Sequence, residues 1–472
     1  MKKILLLLAA AATAAGAYAE GYQVNNLSSR QNGMGHVGTA MKLGSESLWF
    51  NPAAAVFQTS KFDISAGVTG ISSKATYTSL PDYSNPENVK KYVSDNKIST
   101  PMYVYANYKP TDWMSAGVVF NTPFGSTMNW GDHWAGAHLS QSINLAAYNL
   151  QPTVSFRIGK HVSIGAGLML TWGNFDLSQS LLPVGAQTNT MLDGLLKQAM
   201  QNPNLPDIFA AAGDRSIASL GLEGSAGVAT GINLGIMYDI NEEWSLGFSY
   251  RSQLKMKVDS GDVALNLIDD PTIASTVNQM LPALGAQLGM DFSQISACKI
   301  RTELPLPATL TWGVSFRPVP KWEFAVDLQY VLWSAYDHLK VDLVTPDGQQ
   351  KELADNTKNY SNTLAFRFGG QYHALDWLTV RMGMYVDESP VSSDWLNPET
   401  PSMTKLAYTA GFTLRPARFC SLDFAYGFVN SADPERTGST RYTHLLTKEV
   451  SAFSGNYKAR AHTFSFGMRF AF

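Results

Sequence analysis

The last nine residues place Phe464, Phe466, Met468, Phe470 and Phe472 at every second position, with Ser465, Gly467, Arg469 and Ala471 between them. A β-strand turns successive side chains to opposite faces, so this stretch has one oily face and one small or polar face. The same alternation recurs throughout the chain. Leu378, Val380, Met382 and Met384 oppose Thr379, Arg381, Gly383 and Tyr385. Leu310, Trp312, Val314 and Phe316 oppose Thr309, Thr311, Gly313 and Ser315, and the stretch from Ile164 to Trp172 behaves likewise.

The turns between such segments alternate in length. The short ones read "KPTDW", "DINEEW", "RPVPKW", "ALDW" and "RPARF", so Trp113, Trp244, Trp322, Trp377 and Phe419 each stand at the end of a short turn. An aromatic at one end of hairpin after hairpin suits a boundary between lipid and water, where an amphipathic ring is most stable. A soluble β-sandwich would bury its apolar faces but leaves these aromatics unexplained.

Fourteen strands are expected, over 61–79, 99–110, 112–122, 146–160, 161–177, 222–239, 242–260, 299–317, 321–343, 360–374, 377–389, 403–416, 418–432 and 456–472. An open edge in lipid would leave backbone groups unpaired, so the sheet must close. The fold class is therefore all-β, a 14-stranded antiparallel transmembrane barrel. Short turns face the periplasm and long loops face outward. The terminal phenylalanines then meet lipid, while Ser465, Gly467 and Arg469 face the lumen. Asp423 and Arg469, on neighbouring strands, are expected to pair.

Composition agrees. Charged residues make up only 15% of the 472, and no long apolar run follows the first 20 residues, which argues against helical spans. A net charge of −3 gives no footprint for nucleic acid. The opening "MKK", its apolar run and "AYA" read as a signal peptide, residues 1–19, cleaved after Ala19. Cys298 and Cys420 fall at opposite ends of the strand map and are expected to stay unpaired.

Residues 20–60 do not alternate and are rich in Gly, Ser and Asn. A barrel of this size is wider than its side chains can fill, so this segment is expected to plug the barrel formed by residues 61–472. Two outer loops carry apolar residues at helical spacing. They are Leu192, Leu195 and Leu196 in one loop, and Ile273, Val277, Leu281 and Leu284 in the other. Asp270 and Pro271 form a reasonable helix start. These helices either pack on each other as a lid or present an apolar groove for ligand capture, and the two readings are compatible.

The third strand alternates cleanly through Phe120 and then meets "NTPFG", comprising Asn121, Pro123, Phe124 and Gly125. Pro123 removes a ladder donor and Gly125 permits a bulge. Either the strand ends there, or the wall is interrupted and a ligand can leave sideways.

The mature N-terminus "GYQVN" with Gly21 and Tyr22, "GMGHVGTA", Asn51-Pro52-Ala53, "NTPFG", "YRSQLKM", "LPLPATLTWG" and "VDESPV" together resemble the FadL family of outer-membrane transporters for long-chain fatty acids and other hydrophobic compounds. The resemblance implies a plugging N-terminal hatch with an N-P-A motif and helical extracellular loops that form a capture groove. Physically, Pro52 fixes φ and Asn51 can bond its own backbone two residues on.

No metal or cofactor motif and no nucleophile elbow is present. His133 and His138 read as surface groups, and a lipase would need a positioned Ser–His pair. The expected function is passive import of hydrophobic molecules, foremost long-chain fatty acids. Monoaromatic or other hydrocarbons on the same scaffold, or a structural porin or adhesin, are the alternatives. Arg251 and Arg367, facing inward, are the candidates to receive a ligand carboxylate. The expected partners are the hydrophobic ligand, outer-membrane lipid and the barrel assembly machinery acting on the C-terminal strand. The chain is expected to be a monomer.

Overall fold

The computed structural model describes residues 21–81, 87–288, 292–433, 435–443 and 449–472. The expected signal peptide and cleavage site, residues 1–19 and Ala19, lie outside the described residues.

Twenty strand segments form one antiparallel sheet. They are β1 Phe62–Ser79, β2 Lys91–Val93, β3 Met102–Thr111, β4 Met114–Asn129, β5 Ser142–Ile158, β6 Val162–Ser180 and β7 Ala218–Asp239. β8 Trp244–Arg251, β9 Leu254–Leu267, β10 Lys299–Leu306, β11 Thr309–Val319, β12 Trp322–Val331, β13 His338–Val344 and β14 Gln350–Thr357 follow. The set ends with β15 Thr363–Leu375, β16 Leu378–Asp387, β17 Lys405–Ala417, β18 Cys420–Ser431, β19 Arg436–Thr443 and β20 Val450–Ala471. β8 with β9, β10 with β11, and β12 with β13 each make one stave of the wall. β2, β14 and β19 extend it at the outer end. Fourteen staves result, and β1 closes the barrel on β20 from Asp63↔Ala471 to Ser79↔Gly455.

Proline accounts for two departures from the expected strand map. The third strand does not stop at 122. It runs on to Asn129, with the register slipping between Asn121 and Phe124, so Pro123 sits in a bulge and does not cap the strand. The eighth stave breaks at Pro307, which can donate no ladder bond.

The lipid-facing stripe is as read. Ile64, Val68, Val118, Trp312, Phe366, Phe464, Phe466 and Phe472 are exposed, as are Trp113, Trp244, Trp322, Trp377 and Phe419 at the short-turn end. Neither cysteine is in a disulfide, Cys298 being buried under the outer helices and Cys420 lying at the short-turn end. Electrophoretic mobility of the folded monomer is therefore expected to be the same with and without reductant. A shift traced to this pair would contradict the strand map.

The segment ahead of β1 is buried almost throughout residues 22–56. Its backbone is threaded between inward-facing glycines of the wall. A Cβ added at Gly165, Gly235, Gly247, Gly313, Gly369 or Gly383 would come within 3.0 Å of residues 34–53. Glycine here allows close backbone approach. Polar bonds complete the seat. Asp327 Oδ2 accepts from the Gly38 and Thr39 amides at 2.9 and 3.0 Å and from Thr39 Oγ1 at 2.8 Å. Asn32 Nδ2 donates to Thr69 Oγ1 at 3.0 Å and to Ser465 Oγ at 2.6 Å. Within the segment, Arg30 pairs with the fully buried Glu46 at 3.0 Å.

The expected Asp423–Arg469 pair is not formed. Arg469 reaches across the closing seam to Asp63, with Nε donating to Oδ1 at 3.0 Å, and Asp423 pairs with Arg381 at 3.6 Å. Asp423 is in register with Gly467, two residues from Arg469, whereas Asp63 lies on β1 directly beside the arginine's end of β20.

Candidate ligand path

Above the N-terminal segment the lumen turns apolar. A cleft of about 80 Å³ is lined by Tyr22, Leu145, Phe175, Leu222, Met256 and Leu304 among others. Beside it lies the core formed by the outer loops. Helix Ala186–Ala199 and helix Pro271–Leu288 pack into one cluster with β7, β9, β10 and β13. Asp270 Oδ1 caps the second helix by accepting from Thr272 and Ile273 amides at 3.0 and 3.1 Å. Leu192, Leu196, Ile273, Val277 and Leu281 are buried in this cluster, and Leu195 is exposed. The side chain of Leu284 lies outside the described residues. Phe175, Leu177, Leu222 and Val341, all on strands, belong both to the cleft lining and to this cluster or its margin, so the cleft adjoins the helical cluster.

A second, small chamber of about 30 Å³ lies deeper, lined by Gln23, Val24, Trp49, Phe124, Arg251 and Arg367 among others. The two arginines expected to face inward thus share one chamber. Arg251 stacks over the Trp49 ring with Cζ 4.7 Å from the ring centre, and its Nη1 donates to the Trp49 carbonyl at 3.4 Å. Arg367 donates to Gln329 Oε1 at 2.8 Å and lies 3.8 Å from Asp387.

The third feature is a gap in the wall. β3 begins only at Met102, opposite Thr122, so the outer half of β4 has no continuous neighbour on that side. Residues 95–101 cross there, and an opening of about 760 Å³ results. Part of the bare edge is covered by residues 22–24. Gln23 bridges Phe124, the Val24 amide donates to Pro123 O at 2.9 Å, and the Gly125 amide donates to Tyr22 O at 2.9 Å. Three residues thus act as a short added strand. Tyr22 is anchored at the far side by ring contacts to Trp333 at 4.9 Å and Tyr336 at 5.4 Å, and its hydroxyl donates to Pro305 O.

Tyr22 lines the apolar cleft, Gln23 and Val24 line the inner chamber, and Gly21, Gln23 and Val24 line the gap. One short segment is the common partition of all three spaces.

The N-P-A turn sits lower. Asn51 Oδ1 accepts from the Ala53 amide at 3.1 Å, and its Nδ2 donates to Thr39 O at 2.7 Å. Ser155 and Ser163 on the wall donate to the Pro52 and Ala53 carbonyls at 2.6 and 2.8 Å. No group of metal-ligating side chains occurs among the described residues.

The model of the family described as outer membrane protein transport protein (OMPP1/FadL/TodX) matches residues 9–472. The chain belongs to this family. Its members are outer-membrane transporters of hydrophobic compounds, and this FadL-family protein is an outer-membrane protein. It is 23% identical to outer membrane protein P1 of Haemophilus influenzae over 99% of both chains. It is 22% identical to the long-chain fatty acid transport protein of Escherichia coli O6:H1, covering 96% of this chain and 97% of the relative. The fold matches a Pseudomonas aeruginosa FadL homologue with TM-score 0.72 at 16% identity, covering 96% of this chain and all of that one. It also matches the Pseudomonas putida toluene transporter TodX with TM-score 0.62 at 15% identity, covering 96% and 100%.

Proposed function

We propose that this FadL-family protein is a passive importer of long-chain fatty acids that releases them sideways through the gap at Pro123–Gly125. The observation that carries the reading is the position of residues 22–24 between cleft, chamber and gap. A fatty acid gains about 0.8 kcal/mol for each CH₂ taken out of water. An apolar route into the membrane keeps that gain, and a water-filled pore forfeits it. Capture occurs at the cleft beneath the helical lid. Displacing residues 22–24 joins the three spaces and bares the edge of β4.

Residues 20–60 act as the hatch, with Asn51, Pro52 and Ala53 as its fixed hinge on the wall and Gly21 and Tyr22 as its movable end. Asn121, Pro123, Phe124 and Gly125 form the gate. The C-terminal strand is the segment the barrel assembly machinery engages, and the chain works as a monomer and without catalysis.

Fatty acids are preferred to hydrocarbons because two arginines line the inner chamber, and a toluene-like ligand has no group for them to meet. A hydrogen bond to a charged group contributes about 1.5–3 kcal/mol, so Arg251→Gln should weaken oleate binding roughly 10- to 100-fold. Binding of the methyl ester and of toluene should change little. Oleate titrated against the purified protein and the variant, with both neutral ligands alongside, measures this. Equal losses for all three ligands would remove the carboxylate assignment. Tighter binding of toluene than oleate by the unmodified protein would favour the hydrocarbon reading.

A further inference from the structure

On the outward face of β9, β10 and β13, the exposed lysines have acidic partners. Lys255 lies 2.7 Å and Lys257 3.5 Å from Glu303, Lys299 pairs with Asp262, and Lys340 lies 3.1 Å from Asp355. The opposite wall, at the β20–β1 seam, differs. Lys458 and Arg460 are exposed at alternate positions on one face of β20, and Lys74 is exposed on β1 directly opposite Arg460. Lys97, in the crossing segment, is exposed beside them. Among the described residues none of these four cations has an ion-pair partner. Asp176, on the far rim of the opening, makes no ion pair with them, nor does Glu435, which precedes β19 near Lys458.

Like charges placed directly opposite on neighbouring strands are destabilising unless an anion lies between them. Lys74, Lys97 and Arg460 all line the gap in the wall, so they converge on one place. Their height is informative. Twelve residues separate Phe472 from Arg460, which is roughly 30 Å across a membrane for a strand rising 3.4 Å per residue and tilted about 40°. The apolar band is about 25 Å tall, so the cluster stands at headgroup level of the outer leaflet. On β20 the lipid-facing phenylalanines stop at Phe464, two residues below His462 and four below Arg460.

We infer that Lys74, Lys97, Lys458 and Arg460 form a binding site for the phosphorylated headgroup of an outer-leaflet lipid, seated beside the gap in the wall. Arginine and lysine bind phosphate oxygens by charge-assisted hydrogen bonds, and clusters of them beside a membrane hold anionic headgroups. The acyl chains of such a lipid would lie against Phe464, Phe466 and Val68 below. The site stands independently of which ligand the protein carries.

The test uses the purified full-length protein in detergent, with bound lipid read by native mass spectrometry. The probes are bisphosphorylated lipid A, the same lipid with its phosphates removed, and inorganic phosphate. The unmodified protein should retain phosphorylated lipid A at a concentration at least tenfold below that needed for the dephosphorylated form. Lys74→Gln, Lys458→Gln and Arg460→Gln combined should abolish that preference. Lys255→Gln, Lys257→Gln and Lys340→Gln combined remove the same charge and should preserve it. Heat-modifiable mobility checks folding, and Lys458→Gln or Arg460→Gln alone, each expected to lower the preference several-fold, serves if the triple variant fails to fold. Equal retention of both lipids, equal loss in the two triple variants, or inorganic phosphate binding as tightly as the lipid would overturn the inference.

Discussion

Replacing Gly369 and Gly383 together with valine is expected to turn a closed barrel into a leaking one. The two glycines face each other across β15 and β16. Met34 passes so close to both, and Gly35 to Gly383, that any Cβ would meet their backbone. Gly35 and His36 both have positive φ, so the segment is already in a conformation with little freedom to yield. Overpacking costs about 1–3 kcal/mol per site, comparable to the loss of one or two of the bonds that seat this segment. The wall itself keeps all its ladder bonds, so the strain falls on the segment inside. Planar-bilayer conductance or swelling of liposomes in a small sugar should rise at least tenfold over the unmodified protein, with the folded barrel checked by its heat-modifiable mobility. A folded double variant that stays as closed as the parent would show that residues 34–35 do not seal the lumen.

Much of this architecture is legible in the sequence because a membrane barrel repeats its signals. Each stave must alternate, and each short turn ends in an aromatic. Leu310 to Phe316 and Leu378 to Met384 were therefore readable one by one. The inward glycines were equally visible as members of the inner face, but close approach to another segment leaves no periodic trace. The partner of Arg469 is not legible for a related reason. Alternation shows which way a side chain points, while register across the closing seam, which brings Asp63 to it, depends on the whole circumference. Gly125 offers a bulge in the sequence, but strand continuation past Pro123 depends on Phe124–Asn129 pairing with β5. The added strand of residues 22–24 was not legible at all. Three residues are too few for a pattern, and their place is set by the unpaired edge of β4.

The outer helices show the same division. Helical spacing of Leu192 and Leu196, and of Ile273, Val277 and Leu281, forecast the elements. It could not distinguish an apolar stripe facing a ligand from one facing a second helix. In the structure those residues face the lid's own core, and the residues left for a ligand are on the strands below, Phe175, Leu222 and Leu304 among them.

Residues 22–24 are expected to leave the edge of β4 whenever a ligand passes, and a reversible cross-link measures this. Gln23 and Phe124 are antiparallel bridge partners. Opposed residues in such a pair have Cα atoms about 4.5–5.5 Å apart, which a disulfide spans without strain. Gln23→Cys with Phe124→Cys, in a background carrying Cys298→Ser and Cys420→Ser, should therefore oxidise readily. Uptake of labelled oleate is measured in cells that depend on this protein, before and after a reductant. Uptake is expected to be at least tenfold lower in the oxidised double variant than in the same variant after reduction, while oxidation leaves the uptake of either single cysteine variant unchanged. Uptake at the parental rate with the cross-link fully formed would contradict it.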